Sequence, residues 1–308
     1  QRLLVVAGVV LGAAVVAKLV DMRMARRELP PGAATRYRVL RRSLMGAIIF
    51  LGLLSALLLI PQVRALAGGL LASSAVLALV IGFWNGWLTM RTGIPSFLIT
   101  LSTFFMLQGL NLGVTKLLTG TVATTNISNM DGFGALEWIF ASSFTIGDLT
   151  VRITVVWWLL FTAIATWLLL RTRVGNWIFA VGGNAASARA VGVPLKRVKI
   201  GLFMGVGFLA WFYGMHRLYA FSTVQSGEGV GNEFLFIIAA VVGGCLLTGG
   251  YGSPIGAAIG AFIFGMTRQG IVYAGWDANW YRFFLGAMLL LAVLVNLWVR
   301  NYAMSRRS

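Results

Sequence analysis

Residues 151–200 read VRITVVWWLLFTAIATWLLLRTRVGNWIFAVGGNAASARAVGVPLKRVKI, and two kinds of segment meet inside them. The first twenty positions hold one charge, Arg152, and are otherwise almost wholly apolar. That is the length and character of a helix crossing about 30 Å of hydrocarbon at ~1.5 Å per residue. The remainder mixes small, polar and cationic residues before apolar sequence resumes at Val198. A membrane span followed by a loop is the reading, and it sets the pattern for the whole chain.

Of the 308 residues, 59% are hydrophobic and 11% charged, against about 25% charged in an average soluble domain. Nine apolar stretches have the length of spans: Leu3–Val20, Leu44–Val63, Leu66–Met90, Ile94–Leu118, Val151–Leu170, Val198–Phe221, Phe234–Gly250, Ile255–Tyr273 and Trp280–Val299, of which Phe234–Gly250 is short. The expected fold is therefore all-α, a polytopic transmembrane bundle of about nine or ten spans forming one domain over 1–308. The charged start of QRLLVVAGVVLGAAVVA at 1–17 has some character of an export signal, but the basic segment and further span behind it fit a membrane helix better.

Charge orients the bundle. The connection 21–43 holds seven Arg, and placing it in the cytoplasm assigns 91–93, 171–197 and 300–308 to the same side. With Lys199 these segments hold 17 of the 25 Lys and Arg, whereas Asp131, Glu137, Asp148, Glu228, Glu233 and Asp277 fall outside. This is the positive-inside bias. It accounts for the net charge of +17 without nucleic acid as a partner. The connection 119–150 is a long outer loop, and loops of that length are commonly functional or mobile.

Little in the chain suggests covalent chemistry. His216 is the single His, Cys245 the single Cys, and no Gly-Lys pair exists to build a phosphate-binding loop. No catalytic residue, metal ligand set or cofactor site is expected in this chain, and Cys245 reads as a small buried side chain. Glycines at four-residue spacing, Gly8/Gly12, Gly109/Gly113, Gly201/Gly205 and Gly252/Gly256/Gly260, read as faces on which helix backbones approach closely.

In GGNAASARAVGVP, Asn184 is a good helix N-cap, Ala185–Val191 suit two turns, Gly192 can take the left-handed conformation and Pro194 stops continuation. The spacing predicts a short cytoplasmic helix. Isolated helices of this length are marginal in water, so it needs a surface to pack on. That surface is open at this point between a moving protein partner and anionic lipid held by Lys196, Arg197 and Lys199.

The loop 171–200 resembles the cytoplasmic loop of ribose- and xylose-type permeases of bacterial ATP-binding-cassette importers. Two further blocks are similar to that family, NGWLTMRTGIPSFLITLSTFFMLQGL at 85–110 and GNEFLFIIAAVVGGCLLTGGYGSPIGAAIGAFIFG at 231–265, as is the tail LLLAVLVN. The resemblance covers roughly residues 77–300. It implies a permease subunit in the bacterial inner membrane that pairs with a second copy, receives a monosaccharide from a periplasmic binding protein and is driven by separate ATPase subunits, which hold the ATP and Mg. It also implies that Gly183, Asn184, Ala185, Ser187, Ala188, Arg189, Gly192 and Val193 lie in the segment that couples to the ATPase. The family's acidic motif is not found before residue 77, and Leu235 stands where a second acid would follow Glu233.

Within the matched blocks and just beyond them, Asn85, Thr100, Phe104, Gln108, Asn111, Arg268 and Gln269 are the candidates for the solute pathway, since polar groups in a span tend to face the bundle interior or a wet cavity. Asp131, Glu228 and Glu233 are the candidates for contact with the binding protein. A nucleoside, autoinducer-like furanose or amino-acid cargo would leave the mechanism unchanged. An intramembrane enzyme would need converging acids and bases, and a passive channel would need no nucleotide.

Overall fold

The computed structural model describes residues 67–124, 126–129, 133–277 and 280–305. The expected spans Leu3–Val20 and Leu44–Val63, the basic loop 21–43 and Gly8/Gly12 lie outside the described residues.

The fold is all-α apart from one small hairpin. Its elements are α1 Ala67–Thr92, α2 Ser96–Thr119, α3 Phe133–Phe140, β1 Ser143–Ile146, β2 Leu149–Arg152, α4 Ile153–Arg171, α5 Arg173–Gly183, α6 Ala185–Ala190, α7 Leu195–Phe221, α8 Asn232–Val242, α9 Pro254–Tyr273 and α10 Trp280–Ser305. Five helical stretches among the described residues are long and apolar enough to cross a membrane: Ser73–Thr92, Ser96–Thr119, Ile153–Arg171, Leu195–Phe221 and Pro254–Tyr273. Local chemistry sets their ends. Gly120 takes the left-handed conformation after α2 and its N–H donates to Lys116 O at 2.9 Å. The Ser253 hydroxyl accepts from Gly256 N at 3.4 Å at the start of α9, with Pro254 in the first turn where its missing N–H costs nothing.

Within the spans, hydroxyls return to their own helix. Thr89 donates to Asn85 O, Ser102 to Leu98 O and Thr162 to Trp158 O, each at 2.8 Å. Such bonds keep polar side chains satisfied where water is absent.

The described residues fall into two compact units, 67–143 with 199–228 and 144–198 with 229–305. In the first, α1 crosses α7 almost backbone to backbone: a Cβ on Gly82 would stand 2.5 Å from Phe203 O, and one on Gly86 2.8 Å from the Ile200 Cα. Ser74 accepts a hydrogen bond from the Trp211 indole at 2.8 Å across the same crossing. The short helix α3 folds onto α7 through Phe140, whose ring meets Trp211, Phe212 and Tyr219.

In the second unit α8 packs on α9 and α10, and α4 on α5 and α9. Gly256 and Gly260, from the predicted glycine face, lie against Gly243 and Ala239 of the α8 end, and a Cβ on Gly260 would stand 2.6 Å from Gly243 N. Gly109, Gly113, Gly201 and Gly205 face open space instead, and the close approach in the first unit belongs to Gly82, Gly86 and Gly207.

One expected span is corrected. Phe234–Gly250 is helical only to Val242, so α8 has 11 residues, or about 16 Å at ~1.5 Å per residue. It ends where Gly244 takes φ +85°, its N–H reaching Val241 O at 2.9 Å and Cys245 N reaching Ala240 O at 3.0 Å, while α9 passes too close for a side chain at Gly243. Cys245 consequently lies in the turn after the helix, half-buried rather than enclosed.

Candidate functional site

The segment 171–198 is built more elaborately than a loop with one helix. Thr172 both closes α4 and opens α5: its hydroxyl donates to Leu168 O at 2.6 Å and accepts from Gly175 N at 3.2 Å. Gly175 tucks against the Leu168 and Leu169 carbonyls, leaving no room for a Cβ. The amphipathic α5 was not anticipated. Its Val181 is buried, while Arg173, Val174 and Asn176 are exposed.

Asn184 then caps α6 as predicted, its Oδ1 accepting from Ala186 N and Ser187 N at 3.0 Å each. At the other end Gly192 has φ +82°. Its N–H reaches Arg189 O, and Val193 N reaches Ala188 O, both at 3.0 Å. This pair of bonds is the Schellman stop, which needs a residue free to adopt the left-handed conformation. A six-residue helix is thus fixed at both ends by its own sequence.

Ala188 is only 3% exposed, whereas Gly183, Asn184, Ala186, Ser187, Arg189 and Gly192 are exposed and Ala185 and Val193 half-buried. The small residue expected to meet a partner is therefore turned into the chain, and the outward face is formed by Ala186, Ser187 and Arg189. Leu195 and Val198 bury the return into α7.

The end of α5 rests on the turn between α8 and α9. A Cβ on Gly182 would stand 2.6 Å from Gly250 N, and one on Gly250 2.7 Å from the Gly183 Cα. Leu246 N donates to Tyr251 O at 3.2 Å and Gly249 N to Leu246 O at 3.0 Å, so the turn is closed on itself.

The pathway candidates divide between the units. In the first, Thr100, Phe104, Gln108 and Asn111 recur at helical spacing and share one face of α2. Thr100 donates to Ser96 O at 3.0 Å, Phe104 lies edge-on to Phe105, and Gln108 is half-buried. Asn85 of α1 accepts from Thr103 of α2 at 2.7 Å, which makes Asn85 part of a helix contact and adds Thr103, unnoticed in the sequence. Asn111 donates to Ser226 O at 2.6 Å and so holds the connection between α7 and α8. In the second unit, Arg268 lies over the Tyr281 ring at 5.8 Å, and Gln269 beside it is exposed.

The C-terminal ends of α2 and α7 are tied together. Residues 122–124 pair with 224–226 through an antiparallel bridge between Ala123 and Gln225, with Ser226 N to Val122 O and Thr124 N to Val224 O at 2.9 Å each. Glu228 forms an ion pair with Arg217, whose guanidinium also covers Phe221. Glu233 Oε2 accepts from Gly231 N at 2.9 Å at the start of α8. Asp131 lies outside the described residues. His216 Nδ1 is 2.6 Å from Phe140 O, which makes it a fastener of α3. No cluster of three His, Cys, Asp or Glu suited to a metal occurs among the described residues.

Comparison with known proteins adds three relatives and a family. The family described as branched-chain amino acid transport system / permease component matches residues 44–293. The ribose import permease of Escherichia coli (strain K12) is 31% identical over 255 residues, 82% of this chain and 75% of that protein. The xylose transport system permease of Escherichia coli (strain K12) is 28% identical over 272 residues, with 72% and 68% covered. The fructose import permease of Rhizobium meliloti is 27% identical over 222 residues, with 72% and 60% covered. No solved structure matches.

Proposed function

The chain belongs to the branched-chain amino acid transport system / permease component family, and from that premise we propose that it carries a monosaccharide of the pentose or hexose class inward by alternating access, driven by separate ATPase subunits. It is a multi-pass permease subunit of an ABC sugar importer in the bacterial inner membrane. The similar proteins named for ribose, xylose and fructose import support the sugar class over amino-acid cargo.

The observation that carries the mechanism is α6, a short helix capped by Asn184 and stopped by Gly192, on the side holding most of the Lys and Arg. It is a stiff body with Ala186, Ser187 and Arg189 outward, suited to a groove on the ATPase, where ATP and Mg are held. A second copy of the chain completes the passage. The periplasmic binding protein delivers solute at the outer face, with Asp131, Glu228 and Glu233 offering acidic contacts. Along the route, the α2 face of Thr100, Phe104, Gln108 and Asn111 supplies weak polar and aromatic contacts, as do Arg268 and Gln269 of α9; Asn85 braces α2 through Thr103.

Ser187→Trp with Arg189→Glu tests the docking assignment, because neither side chain is buried. ATPase subunits co-purify with the unaltered permease and are lost from the double variant. Undiminished co-purification would refute it. The cargo is read from the small molecule released by heating the associated binding protein.

A further inference from the structure

We infer that the backbone contact between Gly182–Gly183 and Gly249–Gly250 is the joint through which movement of the α5–α6 segment reaches α8 and α9, which makes Gly182 and Gly250 positioning residues for transport. The inference rests on the reading of α6 as the ATPase-docking helix.

Main chain meets main chain here. The hypothetical Cβ distances of 2.6 Å from Gly182 to Gly250 N, 2.7 Å from Gly250 to the Gly183 Cα and 3.0 Å from Gly249 to Gly182 O leave no side chain between the two segments. A side chain could absorb a small displacement by changing rotamer. Two backbones in direct contact have no rotamer to change, so a displacement of one presses on the other even though the contact lies near the surface, with Gly183 and Gly249 exposed.

Both bodies at the joint are stiff. Asn184 N donates to Ala180 O at 3.0 Å, so the end of α5 runs into the cap of α6 with one residue between the helices. The facing turn is closed by Leu246 N to Tyr251 O and tied back to α8 by Cys245 N to Ala240 O at 3.0 Å. Gly249 and Gly250 hold φ +83° and +79°, a shape that other residues resist. Beyond the turn the contact continues in kind, since Gly256 and Gly260 of α9 lie directly on Gly243 and Ala239. A push on α6 therefore reaches α9, the helix that carries Arg268 and Gln269, through successive backbone contacts.

Adding one methyl group at Gly182 wedges the joint while leaving the outward face of α6 intact. The permease is reconstituted in liposomes with its ATPase subunits and solute-loaded binding protein, and the solute moved per ATP hydrolysed is measured. Only the hydrolysis that depends on solute-loaded binding protein is counted, so ATPase idling on unfolded permease does not enter the ratio. Gly182→Ala lowers it roughly fivefold or more, within the range that substitutions along a coupling route produce, with ATPase co-purification unchanged. Gly214→Ala, which adds the same methyl group to α7 with nothing within 4 Å, keeps the ratio. An unaltered ratio in Gly182→Ala, or an equal fall in Gly214→Ala, overturns the joint and leaves the docking assignment standing. Failure of the unaltered permease to retain the ATPase overturns both.

A second measurement needs no variant. When ATP is added to the assembled transporter, amide exchange should change together in 183–192 and 246–253; a change confined to 183–192 overturns the joint.

Discussion

Asn184 does at the scale of one residue what the surrounding sequence cannot do for itself. Six residues are too few to hold a helix in water, and the side chain supplies partners for two N–H groups that would otherwise have none. Asn184→Ala is expected to cost about 1 kcal/mol of local stability. Amide exchange in 185–191 should quicken and sugar uptake should fall, with Asn184→Asp restoring both. Asn184 and Gly192 were legible in the sequence because caps and stops act within a few residues. Ala188 was not, since the direction a small side chain faces depends on what the helix rests on. Thr103 escaped for a related reason: its hydroxyl can satisfy itself on Ile99 O, and only the approach of α1 shows that it also holds Asn85.

Among the elements, α3 is held by the buried rings at its two ends, Phe133 on Tyr219 and Phe140 on its own cluster. Phe140 is 5% exposed and meets Trp211, Phe212 and Tyr219, while His216 holds its carbonyl. Phe140→Ala is expected to destabilise the outer part of the first unit by about 3 kcal/mol, read as a lower thermal midpoint in detergent. Phe140→Leu should recover most of it. The Arg217–Glu228 pair should contribute less: a double-mutant cycle is expected to give under about 1 kcal/mol, since the pair is open to solvent and salt. The long spans were plain because apolar length is their whole signal. The hairpin Ser143–Arg152 was missed although Gly147 and Asp148 sit between alternating apolar residues, the pattern of a two-residue turn. It was hidden inside a connection read as loop. α5 was missed because its apolar face is short and abuts a span, and the early end of α8 was missed because its stop, the left-handed Gly244, sits inside a continuous apolar run.

At the scale of the whole molecule, many apolar and small side chains stay uncovered among the described residues. No residue of α4 is buried, and Gly109, Gly113, Gly201 and Gly205 lie open. Lipid and a second copy are the coverings that the proposed function calls for. The sided distribution of charge predicts which end is cytoplasmic, and labelling checks this directly. With Cys245 replaced by Ser, a cysteine at Ser187 should react with an impermeant maleimide only after the cytoplasmic face is opened, and one at exposed Leu117 from the outside of intact cells. Reaction of both from one side would refute the arrangement.

The interleaving of the two units also bears on how the protein is made. The first needs 199–228, which leave the ribosome only after 144–198 have been synthesised. Neither unit can finish folding while its own early residues are the only ones available. A polypeptide cut short before Glu228 would therefore leave both units unfinished.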